Sequence, residues 1–274
     1  MYLAIDIGGT KTLIALFNRR GRIIKKYKFK TPIKKTDFLA ILESSLIPFS
    51  VSYGKKINCI AIAVPGIVED NVAVKFGNRP WKNLDIVSRI KKLFSCPIYL
   101  ENDANLATIY ESSFHKGLSL YLTFSTGIGG GLARQGILAR NSTELEPGHT
   151  IYTWQNLPTE WEDIASCAAI GKDYNCEATS VRGEIAYDDI AYRVAIGLPD
   201  LIHKYHPDCI IIGGPLGKLF RHFKAQLNYN LRVLMPKNKK YPRIVAAERP
   251  KESVVYGSYL FLKAAHKKLS QRGQ

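Results

Sequence analysis

Cysteine is scarce in this chain and never clustered: five residues, at positions 59, 96, 167, 176 and 209, with no CxxC pair among them. That pattern excludes a dense disulfide framework and the ligand spacing of a small zinc module. Cys59 and Cys209, set in apolar runs, read as small core residues. No apolar stretch approaches the roughly 20 residues that cross a bilayer. The opening Met1-Tyr2-Leu3-Ala4-Ile5-Asp6 has no basic region, apolar segment and cleavage site in succession. A cytoplasmic protein without a membrane partner is expected. Acidic residues are also few, 23 against 39 Lys and Arg, which leaves a formal net charge of +16. The lysines lack the interleaved aromatics of a single-strand nucleic-acid binder. Nucleic acid, a polyanionic substrate, an acidic membrane surface or a solvated basic surface would each account for such a charge, and no nucleic-acid partner is expected.

What is present is an ordinary globular composition, 46% hydrophobic and 23% charged over 274 residues, enough for two lobes. An apolar run over 2–7 ends in Gly8-Gly9-Thr10 and is followed by a second strand, Thr12–Phe17, and a third over about 22–31. Helical spacing runs from Asp37 to about Phe49. Ile57–Val64 reads as a buried strand ended by Pro65-Gly66, Leu84–Phe94 as a helix, Pro97–Leu100 as a strand and Ala104–Ser112 as a helix. A second cycle opens with a strand at Leu118–Phe124, a glycine-rich turn at Ser125–Gly131 and a return strand over Gly131–Leu138. Helices are expected at 160–170, 187–205, about 216–230 and 253–267, and strands at 209–212 and 244–247. The repetition of strand, glycine turn and return strand predicts two similar α/β lobes, over 1–112 and 113–274.

Four groups of residues carry chemistry. In Asp6-Ile7-Gly8-Gly9-Thr10-Lys11-Thr12, paired glycines let backbone N–H groups approach an anion and the threonines offer hydroxyls. Asp6, at a strand end, suits a hydrated Mg²⁺ beside phosphates. In Ser125-Thr126-Gly127-Ile128-Gly129-Gly130-Gly131 the glycines lie between two strands, unlike the strand–turn–helix of a dinucleotide fold; a second phosphate clamp fits better. In Glu101-Asn102-Asp103 a carboxylate at a strand mouth serves either as a helix cap or as a base for an attacking hydroxyl. Glu146-Pro147-Gly148-His149, with Glu162, offers carboxylates and an imidazole for a polyol. Trp81, Trp154 and Trp161 read as packing residues or as apolar faces for a sugar.

Taken in order, these motifs resemble the ROK family of sugar kinases and repressors. Asp6–Thr12 and Ser125–Gly131 resemble its two phosphate motifs, Pro65-Gly66 its Pro-Gly turn, and Glu101–Asn105 its catalytic motif. Glu146–His149 resembles its Glu-x-Gly-His element, and Gly213-Gly214 the glycine pair before its adenosine site. The resemblance implies an actin-like ATPase fold of two RNase H-like lobes, with the last helix packing back on the first lobe. It implies transfer of the γ-phosphoryl group of ATP, with Mg²⁺, to the 6-hydroxyl of a hexose. Asp103 would be the general base, and Gly66, Asn78, Asn102, Glu146, His149 and Glu162 would hold the sugar. Asp6, Gly8, Gly9, Thr10, Lys11, Thr12, Thr126, Gly127, Gly129, Gly213 and Gly214 would hold the nucleotide and its metal. A homodimer is common in such a family.

One departure stands out. The family's cysteine-rich segment, which binds zinc together with the histidine of the Gly-His element, is replaced here by residues 150–161, without a cysteine. Cys167 and Cys176 are spaced wrongly for a tetrahedral site, so no structural zinc is expected. Repressors carry a DNA-binding helix-turn-helix ahead of the core, and with the phosphate motif at Asp6 none is expected here. Relatives lacking those cysteines include glucokinases that accept polyphosphate, which keeps that polyanion open as a donor, as it does a non-catalytic sugar or nucleotide sensor.

Overall fold

The computed structural model describes residues 1–77, 79–140, 142, 145–236 and 241–272. Contacts divide the chain into two compact units, Met1–Ala107 with Val254–Gln274, and Thr108–Ser253. The first unit opens with β1 (Tyr2–Ile7), β2 (Lys11–Phe17) and β3 (Ile23–Lys30), then α1 (Lys35–Tyr53) and β4 (Cys59–Val64). A small sheet follows, β5 (Ile67–Glu69), β6 (Val72–Lys75) and β7 (Lys82–Leu84), then α2 (Ile86–Lys91), β8 (Ile98–Asn102) and α3 (Asp103–Ser112). The second unit contains β9 (Leu118–Phe124), β10 (Ile128–Arg134), β11 (Ile137–Leu138), the hairpin β12 (Ile151–Trp154) and β13 (Leu157–Glu160), α4 (Trp161–Ala165) and α5 (Cys167–Asp173). It continues through α6 (Glu184–Tyr205), β14 (Cys209–Gly213), α7 (Gly214–Gly217), α8 (Phe220–Leu234) and β15 (Arg243–Ala246). The chain closes with α9 (Ser253–Arg272).

The two main sheets share one topology. Their orders are β3-β2-β1-β4-β8 and β11-β10-β9-β14-β15. In each, the first strand pairs antiparallel with the second, and the two later strands run parallel to it. Alternation along β1 sorts its side chains onto two faces. Leu3, Ile5 and Ile7 join Phe38, Leu42, Leu46 and Phe49 of α1 in one core. Tyr2 and Ala4, with Ala15, Phe17 and Ala61, meet Val255, Tyr259 and Leu262 of α9. Alanines on that face let a helix lie close. Each large apolar side chain so buried contributes about 1.5–3 kcal/mol.

The structure departs from the sequence reading in several places. α1 runs past Pro48 to Tyr53, because Phe49 is buried and Ser50 Oγ donates to the Leu93 carbonyl at 2.6 Å. The expected helix over 160–170 is two helices broken at Ser166, which is extended and whose hydroxyl accepts from the Ala169 N–H at 3.1 Å. The glycine run is mostly strand rather than turn, since Gly129, Gly130 and Gly131 lie in β10 and only 125–127 form the bend. Gly131 sits where any Cβ would collide with Thr108 Oγ1. The small sheet β5–β6–β7 and the hairpin β12–β13 are additional to the elements expected from the sequence.

Gly257, inside α9, lies against the backbone of α3: a Cβ there would strike the Leu106 carbonyl oxygen. Alanine is intrinsically the better helix former by about 1 kcal/mol, but a backbone carbonyl cannot swing aside as a side chain can. Overpacking should win. Gly257→Ala is expected to lower the unfolding free energy by about 1–3 kcal/mol, read as a reduced urea midpoint at unchanged slope.

Candidate functional site

In the first unit, pairing aligns Asp6 with Ala63 and Ala63 with Glu101 on one side, and Asp6 with Leu13 and Leu13 with Lys28 on the other. Residues paired in register share a face. Lys28, Leu13, Asp6, Ala63 and Glu101 therefore form one row at the carboxyl ends of the parallel strands, where ligands of open α/β sheets bind. Asp6 is partly buried. Removal from water disfavours its charged form, the Asp103 carboxylate adds repulsion and Lys28 offsets part of this, so its pKa is pushed up to about 7.

Asp103 opens α3. The capping role falls instead to Asn102, whose Oδ1 accepts the Asn105 N–H at 3.0 Å. Its Nδ2 donates to the Gly66 carbonyl at 2.9 Å, tying β8 to the Pro65-Gly66 turn. Glu101 Oε1 accepts from the Asn102 N–H at 2.9 Å and from Asn105 Nδ2 at 3.1 Å. Asp103 Oδ1 accepts the Ala104 N–H at 2.7 Å.

The turn between β1 and β2 exposes Gly9, Thr10 and Lys11. It is closed by the Gly8 N–H donating to the Lys11 carbonyl at 3.0 Å. Thr12 is fully buried. Its hydroxyl is 2.9 Å from that of Thr31, which in turn donates to the Gly8 carbonyl at 2.9 Å, so this threonine braces the turn from inside. Arg79, which the sequence did not single out, donates through Nη2 to the Gly9 carbonyl. Asn78 lies outside the described residues. Trp81 is a core residue, stacked on Phe38 at 4.8 Å with its indole N–H on the Ile33 carbonyl at 2.9 Å.

In the second unit the position equivalent to Asp6 is Thr123, paired with Gly129 on one side and Gly213 on the other. Gly214 follows with φ +67° at the start of α7. Ser125 donates to the Gly127 carbonyl at 2.9 Å, which makes a narrow bend with Thr126 exposed at its tip. Glu162 reaches this bend. Its Oε2 accepts the Ile128 N–H at 3.3 Å, and it packs so tightly against Gly127 and Gly148 that a Cβ at either would collide with it. Glu146 is exposed before the short turn Pro147–His149, and its carbonyl accepts the His149 N–H at 3.3 Å.

Glu160 is the residue that sequence reasoning missed. His149 Nδ1 donates to Glu160 Oε2 at 2.9 Å, across eleven positions of chain. That hydrogen bond, with the charges of Glu162 and Glu146, raises the His149 pKa against a smaller effect of desolvation. The available signal was the pair of β-prone runs Ile151–Trp154 and Leu157–Glu160 around Gln155-Asn156, a hairpin pattern whose return brings Glu160 beside His149.

The ROK family model matches residues 2–265. The chain is 31% identical over 262 residues to a glucokinase of Thermotoga maritima, covering 79% of this chain and 82% of that protein. It is 27% identical over 236 residues to a fructokinase of Lactococcus lactis, covering 78% of each. A xylose repressor of Caldicellulosiruptor bescii is 26% identical, with 86% of this chain and 74% of the repressor covered. Among solved structures, a ROK family glucokinase from Streptomyces griseus in complex with glucose and AMPPNP superposes with a TM-score of 0.77 at 19% identity, over 94% of this chain and 98% of that one. The fold is that of the actin-like ATPases.

The raised pKa of Asp6 has a defined sign in stability. The folded state holds the Asp6 proton up to about pH 7, whereas the unfolded state releases it near pH 4. Between those values the folded state binds more protons, so the Asp6 contribution falls as pH rises and its cost is complete above about pH 7. Asp6→Asn should therefore gain stability relative to the parent progressively from pH 4 to pH 7 and hold that gain above it, as urea unfolding across this range will read.

Proposed function

This chain belongs to the ROK family, and within that family we propose that it is a sugar kinase, transferring the γ-phosphoryl group of ATP to the 6-hydroxyl of a hexose such as glucose. The observation that carries the reading is the nearness of Asp103 to Asp6, whose pKa its charge raises, beside the exposed turn at Gly9–Lys11. A base for the sugar hydroxyl and a carboxylate for the metal of a nucleotide are the two groups that phosphoryl transfer asks of a protein, together with donors for the phosphate oxygens.

In this reading Asp103 accepts the proton of the 6-hydroxyl as its oxygen attacks phosphorus in line. Backbone N–H groups of Gly9 and Thr10, on the turn that the Gly8 N–H closes, are the donors the first unit offers to phosphate oxygens, and those of Thr126, Gly127 and Gly129 are the ones the second unit offers. Lys11 adds positive charge to the same turn. Asp6 would hold Mg²⁺ through water, and the ion supplies neutralisation of phosphate charge there. A desolvated carboxyl that ionises reluctantly by itself fits that task, because a cation restores its charge. Gly213 and Gly214, where β14 passes into α7, are the glycine pair assigned to the nucleoside by the family resemblance, and their bare sides pack against Tyr121, Thr123 and the Phe124 backbone. The groups the first unit offers to sugar hydroxyls are Asn102 and the Gly66 turn, and those the second unit offers are Glu146, His149 and Glu162; Asn78 lies outside the described residues.

The test is ADP release over a panel of hexoses and hexosamines, with ATP and polyphosphate as alternative donors. Turnover with at least one hexose is expected, and Asp103→Asn should lower kcat by about 100-fold or more while sugar binding and thermal unfolding stay near those of the parent. A folded chain that binds sugar and never turns over is a sensor, and that result overturns the proposal. Near-normal turnover in Asp103→Asn removes that residue from the role of base.

A further inference from the structure

The segment that departs from the family motif folds into a specific local device. β12 and β13 pair in register from Ile151 with Glu160 to Trp154 with Leu157, and the bend between them has Gln155 and Asn156 both at positive φ, 51° and 65°, the signature of a two-residue hairpin turn. The pairing is extended one step beyond the strands by the Trp161 N–H, which donates to the Thr150 carbonyl at 2.8 Å. The return of the chain is thereby set directly beside His149.

Trp161 then fixes that return. It is fully buried, its indole N–H donates to the Arg193 carbonyl at 3.0 Å, and its ring lies edge-on to Phe124 at 5.6 Å. Gly197 of α6 is bare on the side that receives the ring. At the far end of the hairpin, Trp154 lies under the Arg193 guanidinium at 5.2 Å. Arg193 is itself anchored to Asp173 at 2.6 Å and Asp189 at 2.8 Å. With the tryptophan immobile, the two carboxylates that flank it are aimed: Glu162 at the Ile128 N–H and Glu160 at His149 Nδ1.

The residues here do not fit the zinc site of the resembled motif. Of that donor set His149 remains, and residues 150–161 hold no thiol. Cys167 donates its S–H to the Phe124 carbonyl at 3.2 Å. The potential donor atoms of His149, Glu160 and Glu162 do lie within 4.8 Å of one another. Two ligands at about 2.0–2.1 Å from a tetrahedral zinc are held roughly 3.3–3.4 Å apart, however, and the Nδ1 to Oε2 separation of 2.9 Å is that of a direct charge-assisted hydrogen bond.

We propose that Glu160 is a positioning residue for His149, orienting the imidazole by a direct hydrogen bond in a sugar site that works without zinc. The carboxylate fixes Nδ1 as a donor and sets the ring plane, so Nε2 is the nitrogen presented to a sugar hydroxyl. The groups that bear on the imidazole are Glu160, Glu162 and Glu146, all acidic, and each favours its protonated form. The inference rests on the sugar-kinase reading for its substrate, but the His149–Glu160 pair itself does not.

Three measurements on the full chain decide it. Protein as purified should contain far less than one zinc per chain, and dialysis against EDTA with return to Mg²⁺ should leave its hexose KM unchanged. Glu160→Ala should raise the hexose KM by about tenfold or more, with kcat within about threefold and the ATP KM unmoved. Glu160→Gln, which keeps an acceptor but no charge, should raise KM less and shift its pH dependence to lower pH. In nitrogen NMR, His149, assigned by its loss in His149→Asn, should titrate above an ordinary histidine and move down in Glu160→Gln. Stoichiometric zinc whose removal raises KM, or an unchanged KM in folded Glu160→Ala, overturns the proposal. Absence of turnover with every hexose refutes the kinase reading instead, and the NMR titration then judges the pair without reference to catalysis.

Discussion

Strand register in the first sheet governs which residues can act together there. Lys28, Leu13, Asp6, Ala63 and Glu101 stand at one level across five strands. A slip of one residue in β1 would turn Asp6 toward the core face that Leu3, Ile5 and Ile7 now occupy and put an isoleucine in its place. The apolar pattern that makes such a slip costly is thus what holds a carboxyl at the sheet's functional edge. Its desolvation and the nearness of Asp103 follow from the same placement, and both appear in the raised pKa. Ala63, small and set between Asp6 and Glu101 in the row, leaves space between those two carboxylates.

The second sheet repeats the topology with different chemistry. Where the first has Asp6 beside Ala63, the second has Thr123 between Gly129 and Gly213. In the second row the bare side of Gly213 receives the Tyr121 ring, whereas a row with carboxylates suits a cation or a proton. The carboxylates grouped around His149 come from outside the main sheet: Glu146 just before the Pro147–His149 turn, Glu160 at the end of β13 and Glu162 in the first turn of α4. Their arrangement depends on one buried tryptophan. Glu160 and Glu162 flank Trp161 in sequence and make separate contacts, with His149 and with the glycine bend.

Helix capping and chemistry divide two adjacent residues between them. Asn102 uses both ends of its amide, on Asn105 and on Gly66, which relieves Asp103 of the cap. The sequence could not choose between these two uses of Asn-Asp, since either residue is a good cap. Thr12 went the other way: grouped with Thr10 by spacing, it points inward to Thr31, because alternation along β2 puts it on the buried face. Composition predicts a turn over the glycine run, yet most of it is strand, its bareness serving packing against Thr108 and Leu145.

Local pattern is enough to read the class of fold, the two glycine bends, Asp6 near the end of a strand, Asp103 where a strand gives way to a helix, and the loss of the cysteines, because strand alternation, turn chemistry and motif order are written within a few consecutive residues. Tertiary structure alone decided that Asn102 caps while Asp103 does not, that Arg79 reaches the Gly9 carbonyl and that Glu160 meets His149. Those contacts join residues whose separation in the chain says nothing about their distance in space. They arise from register and from the packing of buried side chains such as Trp161, which carry no local signature.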